Sequence, residues 1–285
     1  MNWTVHHRSE TASTNLDARG AAPWNAFTAD FQTAGRGRLD HRWHSAGGVN
    51  LMMSAVVPVD AMPPEEAATF PLVAGLAVVD ALSTLCPDAC APFLLKWPND
   101  VYVGGRKICG ILCERDGERI IVGIGVNVGE RSFPAEIAAR ATSLALVVPE
   151  VPSVTAVRDA VLAAIAALHA VWRRDGFTAL HQRIAAVDFL RGQRVEVVQT
   201  DADSSPVVGV SGGIRVDGSL DVGGNAVFAG EVRLGKGSGW YAAVSGSMGK
   251  EWSKAYTARD RACPDASSSA TARSLSCRRS EPLSP

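Results

Sequence analysis

Lys107 stands in Gly105-Arg106-Lys107-Ile108-Cys109-Gly110-Ile111-Leu112, just after a glycine pair and three residues before another glycine. A glycine inside a strand marks a place where a ligand or another backbone comes close. A lysine beside it is a good point charge for a phosphoryl group. A second group of cations lies in Gln32-Thr33-Ala34-Gly35-Arg36-Gly37-Arg38, followed by Arg42-Trp43. Its glycines let the chain wrap a ligand, and its guanidinium groups donate paired bonds to carboxylate or phosphate oxygens. Taken alone this stretch also fits a solvated basic turn or an RNA-contacting loop, and Trp43 alone reads as core. Gly123-Ile124-Gly125-Val126-Asn127-Val128 leaves room along one strand face and ends on an amide that can donate and accept. It is no dinucleotide fingerprint, because no G-x-G-x-x-G opens a helix. Ser13-Thr14-Asn15, before Leu16-Asp17-Ala18, has the form of a helix N-cap. The chemistry these residues suit is holding phosphate or carboxylate oxygens with a few placed cations.

The elements that must position them follow from hydrophobic period and turn residues. Strands are predicted over 26–31, 49–57, 93–97 and 120–128, with a Gly/Arg loop over 33–48. Val101–Val103 and Lys107–Cys113 flank Gly104-Gly105 as a hairpin. Helices are predicted over 65–85, 154–172 and 177–187. Past Leu190, short β runs over 191–198, 207–210, 213–216, 220–222 and 227–234 are separated by Gly, Asp and Ser, which suggests a small SH3-like barrel. The organisation expected is therefore 1–188, 189–237 and a tail over 238–285. The tail is rich in Ser, Ala and Arg without periodicity and reads as disordered. Truncation after Gly237 is expected to leave activity nearly unchanged, which melting and rate measurements check.

Lys plus Arg numbers 28 against 29 for Asp plus Glu, a net charge of −1. A polyanion-binding protein would be strongly basic, so any anion site must be local. Met1 to Arg8 lacks an apolar signal region, and 157–171 reads as too short and too polar to cross a membrane. A cytoplasmic protein is expected. The C-x3-C pairs Cys86/Cys90 and Cys109/Cys113 read as buried thiols. On a strand the second pair would lie roughly 13 Å apart, too far for one metal.

The order S-T-N, Q-x-x-G-R-G-R with R-x-W, K-W-P-N-D (Lys96 to Asp100), G-R-K-x-x-G-I-L and G-I-G-x-N-V resembles the catalytic domain of biotin–protein ligases over about residues 9 to 187. The short β runs to about 235 are similar to that family's C-terminal domain. The resemblance implies an α+β fold, a class II aminoacyl-tRNA synthetase-like mixed sheet followed by the SH3-like barrel. It implies biotin and ATP as substrates, with Mg2+ accompanying ATP at ligands left open. Biotin carboxylate attacks the α-phosphate to give biotinyl-5′-AMP and pyrophosphate. A lysine of a biotin carboxyl carrier domain of an acyl-CoA carboxylase then displaces AMP. Lys107, Arg36 and Arg38 would be the catalytic cations. Ser13, Thr14, Asn15, Gln32, Gly37, Trp43, Gly110 and Ile111 would line the acid site, the last two through backbone. Asn127, Asp100 and Arg38 would face the nucleotide, Asp100 orienting Lys107 or holding metal-bound phosphates. The arginines are expected to have no partner until phosphate arrives, so 33–48 should be ordered by ligand. With S-T-N so near the start, no DNA-binding domain is expected, and monomer and homodimer both remain open. The alternatives are a lipoate or octanoate ligase of the same superfold and a non-catalytic biotin-binding regulator.

Overall fold

A computed structural model describes residues 2–38, 43, 47–60, 62–199 and 205–235. The expected tail, 238–285, therefore lies outside the described residues, as do 39–42 and 44–46 of the Gly/Arg loop.

The chain opens with β1 (Thr4–Thr11), a single turn α1 (Thr14–Asp17), β2 (Asn25–Gln32) and β3 (Leu51–Pro58). After α2 (Pro64–Ala67) and α3 (Phe70–Leu85) come β4 (Phe93–Lys96), β5 (Asp100–Val103), β6 (Arg106–Asp116) and β7 (Arg119–Val126). Two single turns, α4 (Ala135–Ala138) and α5 (Leu144–Val147), lead to α6 (Val154–Asp175) and α7 (Thr178–Ala186). The remaining strands are β8 (Arg194–Val198), β9 (Val207–Ile214), β10 (Leu220–Val222), β11 (Asn225–Val227) and β12 (Glu231–Leu234).

Seven strands form one mixed sheet in the order β1-β2-β3-β7-β6-β5-β4. Only β1 and β2 pair in parallel. Cys109 and Ile111 of β6 belong to the core that α3 and α6 bury on one face. Gly104 and Gly105 take positive φ at the β5–β6 turn, the geometry that a two-residue hairpin requires.

The helix expected over 65–85 is two helices. Pro71 stands in the first turn of α3, and its ring excludes a continuous helix through residue 67. The break is used: Thr69 Oγ1 donates to Glu66 O at 2.6 Å and accepts from Trp172 Nε1 at 3.0 Å. Ser153 caps α6 by accepting from Ala156 N, and Gly176 ends it at φ 75°. That helix runs 22 residues, longer than 157–171. By length and composition alone the stretches Pro64–Leu85 and Val154–Asp175 would be long and apolar enough to cross a membrane, but much of the first is buried inside the fold. In the fold α3 and α6 pack on each other, and α6 also packs on β3.

His169 of α6 is buried among Trp24, Phe70 and Trp172. Burial pushes its pKa below 6.5, against the bond to the Pro58 carbonyl at 2.7 Å. Nearby Arg173 lowers it further and Asp60 opposes. The neutral ring is favoured in the fold, so its stabilisation is full above the unfolded value near 6.5 and is lost as pH falls below it. Melting from pH 7.5 to 5 should show that loss, and His169→Phe should flatten the acid limb while lowering the plateau.

The last five strands form an antiparallel sheet in the order β11-β10-β9-β8-β12. The runs 207–210 and 213–216 merge into β9, and 227–234 divides into β11 and β12. This sheet docks on the β4 end of the larger one through Trp97 Nε1 to Gly218 O (3.0 Å) and Lys96 Nζ to Val232 O (3.1 Å), and on α7 through His181 Nε2 to Ile214 O (2.7 Å).

Candidate active site

The face of β6 and β7 away from α3 carries the glycines. Gly110 lies opposite Gly125, and the next outward pair is Leu112 with Gly123. In a straight strand Lys107 would point with Cys109 and Ile111 into the core. The register slips there: Val101 pairs with Cys109 and Tyr102 with Lys107, leaving Ile108 as an extra residue. This bulge turns Lys107 to the glycine face. Its Nζ comes to 3.1 Å from where a Gly110 Cβ would stand. The Trp43 indole fills the same floor, 2.6 Å from the position of a Gly125 Cβ and 3.2 Å from that of Gly110. Its Nε1 is buried without a hydrogen-bond partner among the described residues.

Lys107 Nζ lies 2.7 Å from Asp100 Oδ1. The contact is an ion pair with no well-aligned hydrogen bond, so the ammonium can turn to another anion. Next to Asp100, Asn99 Nδ2 donates to Ile111 O at 2.5 Å, and Asn99 Oδ1 accepts from Arg38 Nη1 at 3.2 Å. Burial lowers the Arg38 pKa and Asp100 raises it. Burial likewise lowers that of Lys96, against the attraction of Asp100. Three cations thus surround one carboxylate, a local excess of positive charge in a chain of net charge −1.

The S-T-N segment closes the other end. Gln32 Oε1 accepts from Thr14 N (2.8 Å) and Thr14 Oγ1 (3.2 Å). Ser54 Oγ lies 2.7 Å from Thr14 Oγ1 and 2.6 Å from Asn15 Oδ1. Asn15 Nδ2 donates to Glu114 Oε2 at 2.6 Å. Ser13 is buried at the N-cap position, but its side chain caps nothing. Sequence reasoning missed Ser54 and Glu114. Ser54 is the one polar residue in the apolar run of β3, and that signal could have found it.

One expectation needs correction. Arg36 has a partner without any phosphate: its Nη2 is 3.2 Å from Glu114 Oε2. Arg38 is held by Asn99, with Gly37 half-buried between the two arginines. The side chain of Ile111 is core, and its backbone N–H and C=O are both taken by Asn99. Asn127 is buried and donates Nδ2 to Thr142 O at 2.9 Å. It braces the segment whose Thr142 N bonds Lys107 O, behind the lysine.

Cys86, Cys109 and Cys113 are free, the first two buried, and Cys90 is half-buried. Among the described residues no three His, Cys, Asp or Glu are grouped to hold a metal.

The biotin/lipoate A/B protein ligase family matches residues 11–129, the span from S-T-N through the glycine strand. A biotin–[acetyl-CoA-carboxylase] ligase of Mycobacterium tuberculosis is 33% identical over 227 residues, 77% of this chain and 84% of that protein. The chain belongs to the biotin–protein ligases. A second ligase of that name, from Paracoccus denitrificans, is 37% identical over 129 residues, 42% of this chain and 52% of its own. Among solved structures, the biotin protein ligase of Aquifex aeolicus in complex with biotin and ATP superposes with a TM-score of 0.71. It is 30% identical and matches 81% of this chain and 98% of its own. The mixed sheet and α+β content are those of the ligase fold.

Proposed function

We propose that this crevice joins biotin to ATP at Lys107 and hands the acyl group to a lysine of a biotin carboxyl carrier domain. The observation that carries the reading is Lys107, turned by a bulge onto a glycine floor beside a carboxylate it can leave. Biotin's ureido ring fits the end built by Ser13, Thr14, Asn15, Gln32 and Ser54, where donors and acceptors are fixed before ligand enters. Trp43 walls the apolar part. The carboxylate then points along Gly110 toward Lys107 and Arg38, where the α-phosphate of ATP would lie. Lys107 exchanges Asp100 for the two approaching anions and stabilises the charge that develops on the phosphoryl oxygens as pyrophosphate leaves. Positioning and electrostatics supply the rate, with no covalent enzyme intermediate. In the second step the acceptor amine attacks the acyl carbon, AMP departs, and the amine's proton passes to solvent.

Asp100 is the orienting partner of Lys107 in this reading, and Asn127 supports the strand rather than touching adenylate. Residues 1–188 would form the catalytic domain, and 189–237 an SH3-like domain that steadies the strand of Lys96 and Trp97. The location proposed is cytoplasmic, where an acyl-CoA carboxylase would supply the acceptor.

Pyrophosphate exchange into ATP tests the acid preference. Biotin should support it, and lipoate or octanoate should not. Preference for either of those acids would move the chain to the lipoate branch of the superfold, and binding of biotin without exchange would make it a regulator.

A further inference from the structure

We infer that Glu114 holds Arg36 in reserve, as an internal stand-in for the phosphate that Arg36 later meets. This rests on the reading above, with Arg36 taken as one of the phosphate-directed catalytic cations that the family resemblance implies.

Glu114 lies on the same face of β6 as Gly110, two rungs farther along, roughly 13 Å away at the ordinary strand rise. Its carboxylate accepts from Asn15 Nδ2 at 2.6 Å and Arg36 Nη2 at 3.2 Å and forms a looser ion pair with Arg19 Nη2 at 3.6 Å. Arg38, two residues beyond Arg36, is bonded instead to Asn99, at the Lys107 end. The two arginines of one loop are thus tethered to opposite ends of the crevice. Arg36 cannot serve a phosphate beside Lys107 without leaving Glu114.

The arrangement makes that exchange easy. When Arg36 departs, Glu114 still has Arg19 and the Asn15 amide, so no bare carboxylate is left. Arg36 and Arg19 are both well exposed, and ion pairs of that kind are weak and screened by salt. Because Asn15 also belongs to the acid site, the carboxylate links that site to the phosphate-directed loop. Glu114 is accordingly a positioning residue: it touches neither substrate but fixes where Arg36 waits.

A stand-in competes with the ligand it imitates. Removing its charge should strengthen phosphate binding, the reverse of what damage to the fold would do. Glu114→Gln keeps an acceptor for Asn15 while releasing Arg36. ATP alone, titrated calorimetrically at low salt, should bind E114Q about two- to fivefold tighter than the native chain. That gain should vanish in the R36A background and shrink in high salt. If E114Q fails to fold, Glu114→Asp withdraws the carboxylate from Arg36 by one methylene and should shift ATP affinity the same way. Equal or weaker binding of ATP by the folded variant, or a gain that persists without Arg36, would overturn the inference. Biotin-dependent exchange by the native chain is measured alongside. Its presence with unchanged variant affinity removes only the role of Glu114, and its absence removes the reading of the site as well.

Discussion

Lys107→Ala should lower biotin-dependent pyrophosphate exchange by about a hundred- to a thousandfold, the usual effect of deleting one preorganised group from a charged transition state. The fold should survive, because the side chain is about one-third exposed and, among the described residues, its ion pair is with Asp100. The change leaves Asp100 facing Arg38 and Lys96, which still draw on its charge. Melting temperature should therefore move little while kcat collapses and the KM for biotin stays near its native value. Lys107→Arg should rescue poorly, since a planar fork cannot occupy the space of a compact ammonium beside Gly110. Exchange by Lys107→Ala within twofold of the native chain would show that the bulge has turned the residue to a surface without chemistry.

The second large effect is expected at a residue with no side chain. A Cβ on Gly123 would stand 2.3 Å from Asn15 Oδ1 and 3.1 Å from the Leu112 carbonyl. Asn15 cannot step aside cheaply, being buried and fixed by Ser54 and Glu114. Gly123→Ala should expel the amide and leave Ser54 and its neighbours short of a partner, a cost of about 1 to 3 kcal/mol. If that network is the ureido-binding end, biotin affinity should fall by about five- to 150-fold. Turnover at saturating biotin should change much less, because Lys107 and Arg38 lie at the other end. Equilibrium titration with biotin checks this, and unchanged affinity in a folded G123A variant would place the acid elsewhere.

Much of this site was legible before any coordinates, because its motifs are built from residue types whose physics is local. A glycine in an apolar strand announces a close approach, and Gly110, Gly123 and Gly125 each have a side chain of the proposed site (Lys107, Asn15 or Trp43) pressed against them. The β5–β6 hairpin followed from two adjacent glycines. What sequence could not supply was face and partner. Lys107 and Gly110 are three apart, which in a regular strand means opposite faces, and only the Ile108 bulge unites them. β1 was not predicted as a strand because nearly every residue from Thr4 to Thr11 is exposed, so no alternation marks it. Asn127 was read as a ligand group from its place at a strand end, and the loop it also braces joins it only in three dimensions. Glu114 carried no signal in the sequence, because Asn15 and Arg36, its partners, lie 99 and 78 residues away. Pro71 is different: its meaning for the helix over 65–85 was readable, and the apolar period on either side concealed it.

The most direct test supplies the purified chain with biotin, ATP and magnesium, together with a biotin carboxyl carrier domain, and follows the products by mass spectrometry. The predicted result is one biotin on one carrier lysine, with AMP and pyrophosphate released in equal amounts and biotinyl-5′-AMP accumulating when the carrier is withheld. Absence of the adenylate with both substrates saturating, or modification of the carrier by lipoate in preference to biotin, would contradict the assignment of this crevice.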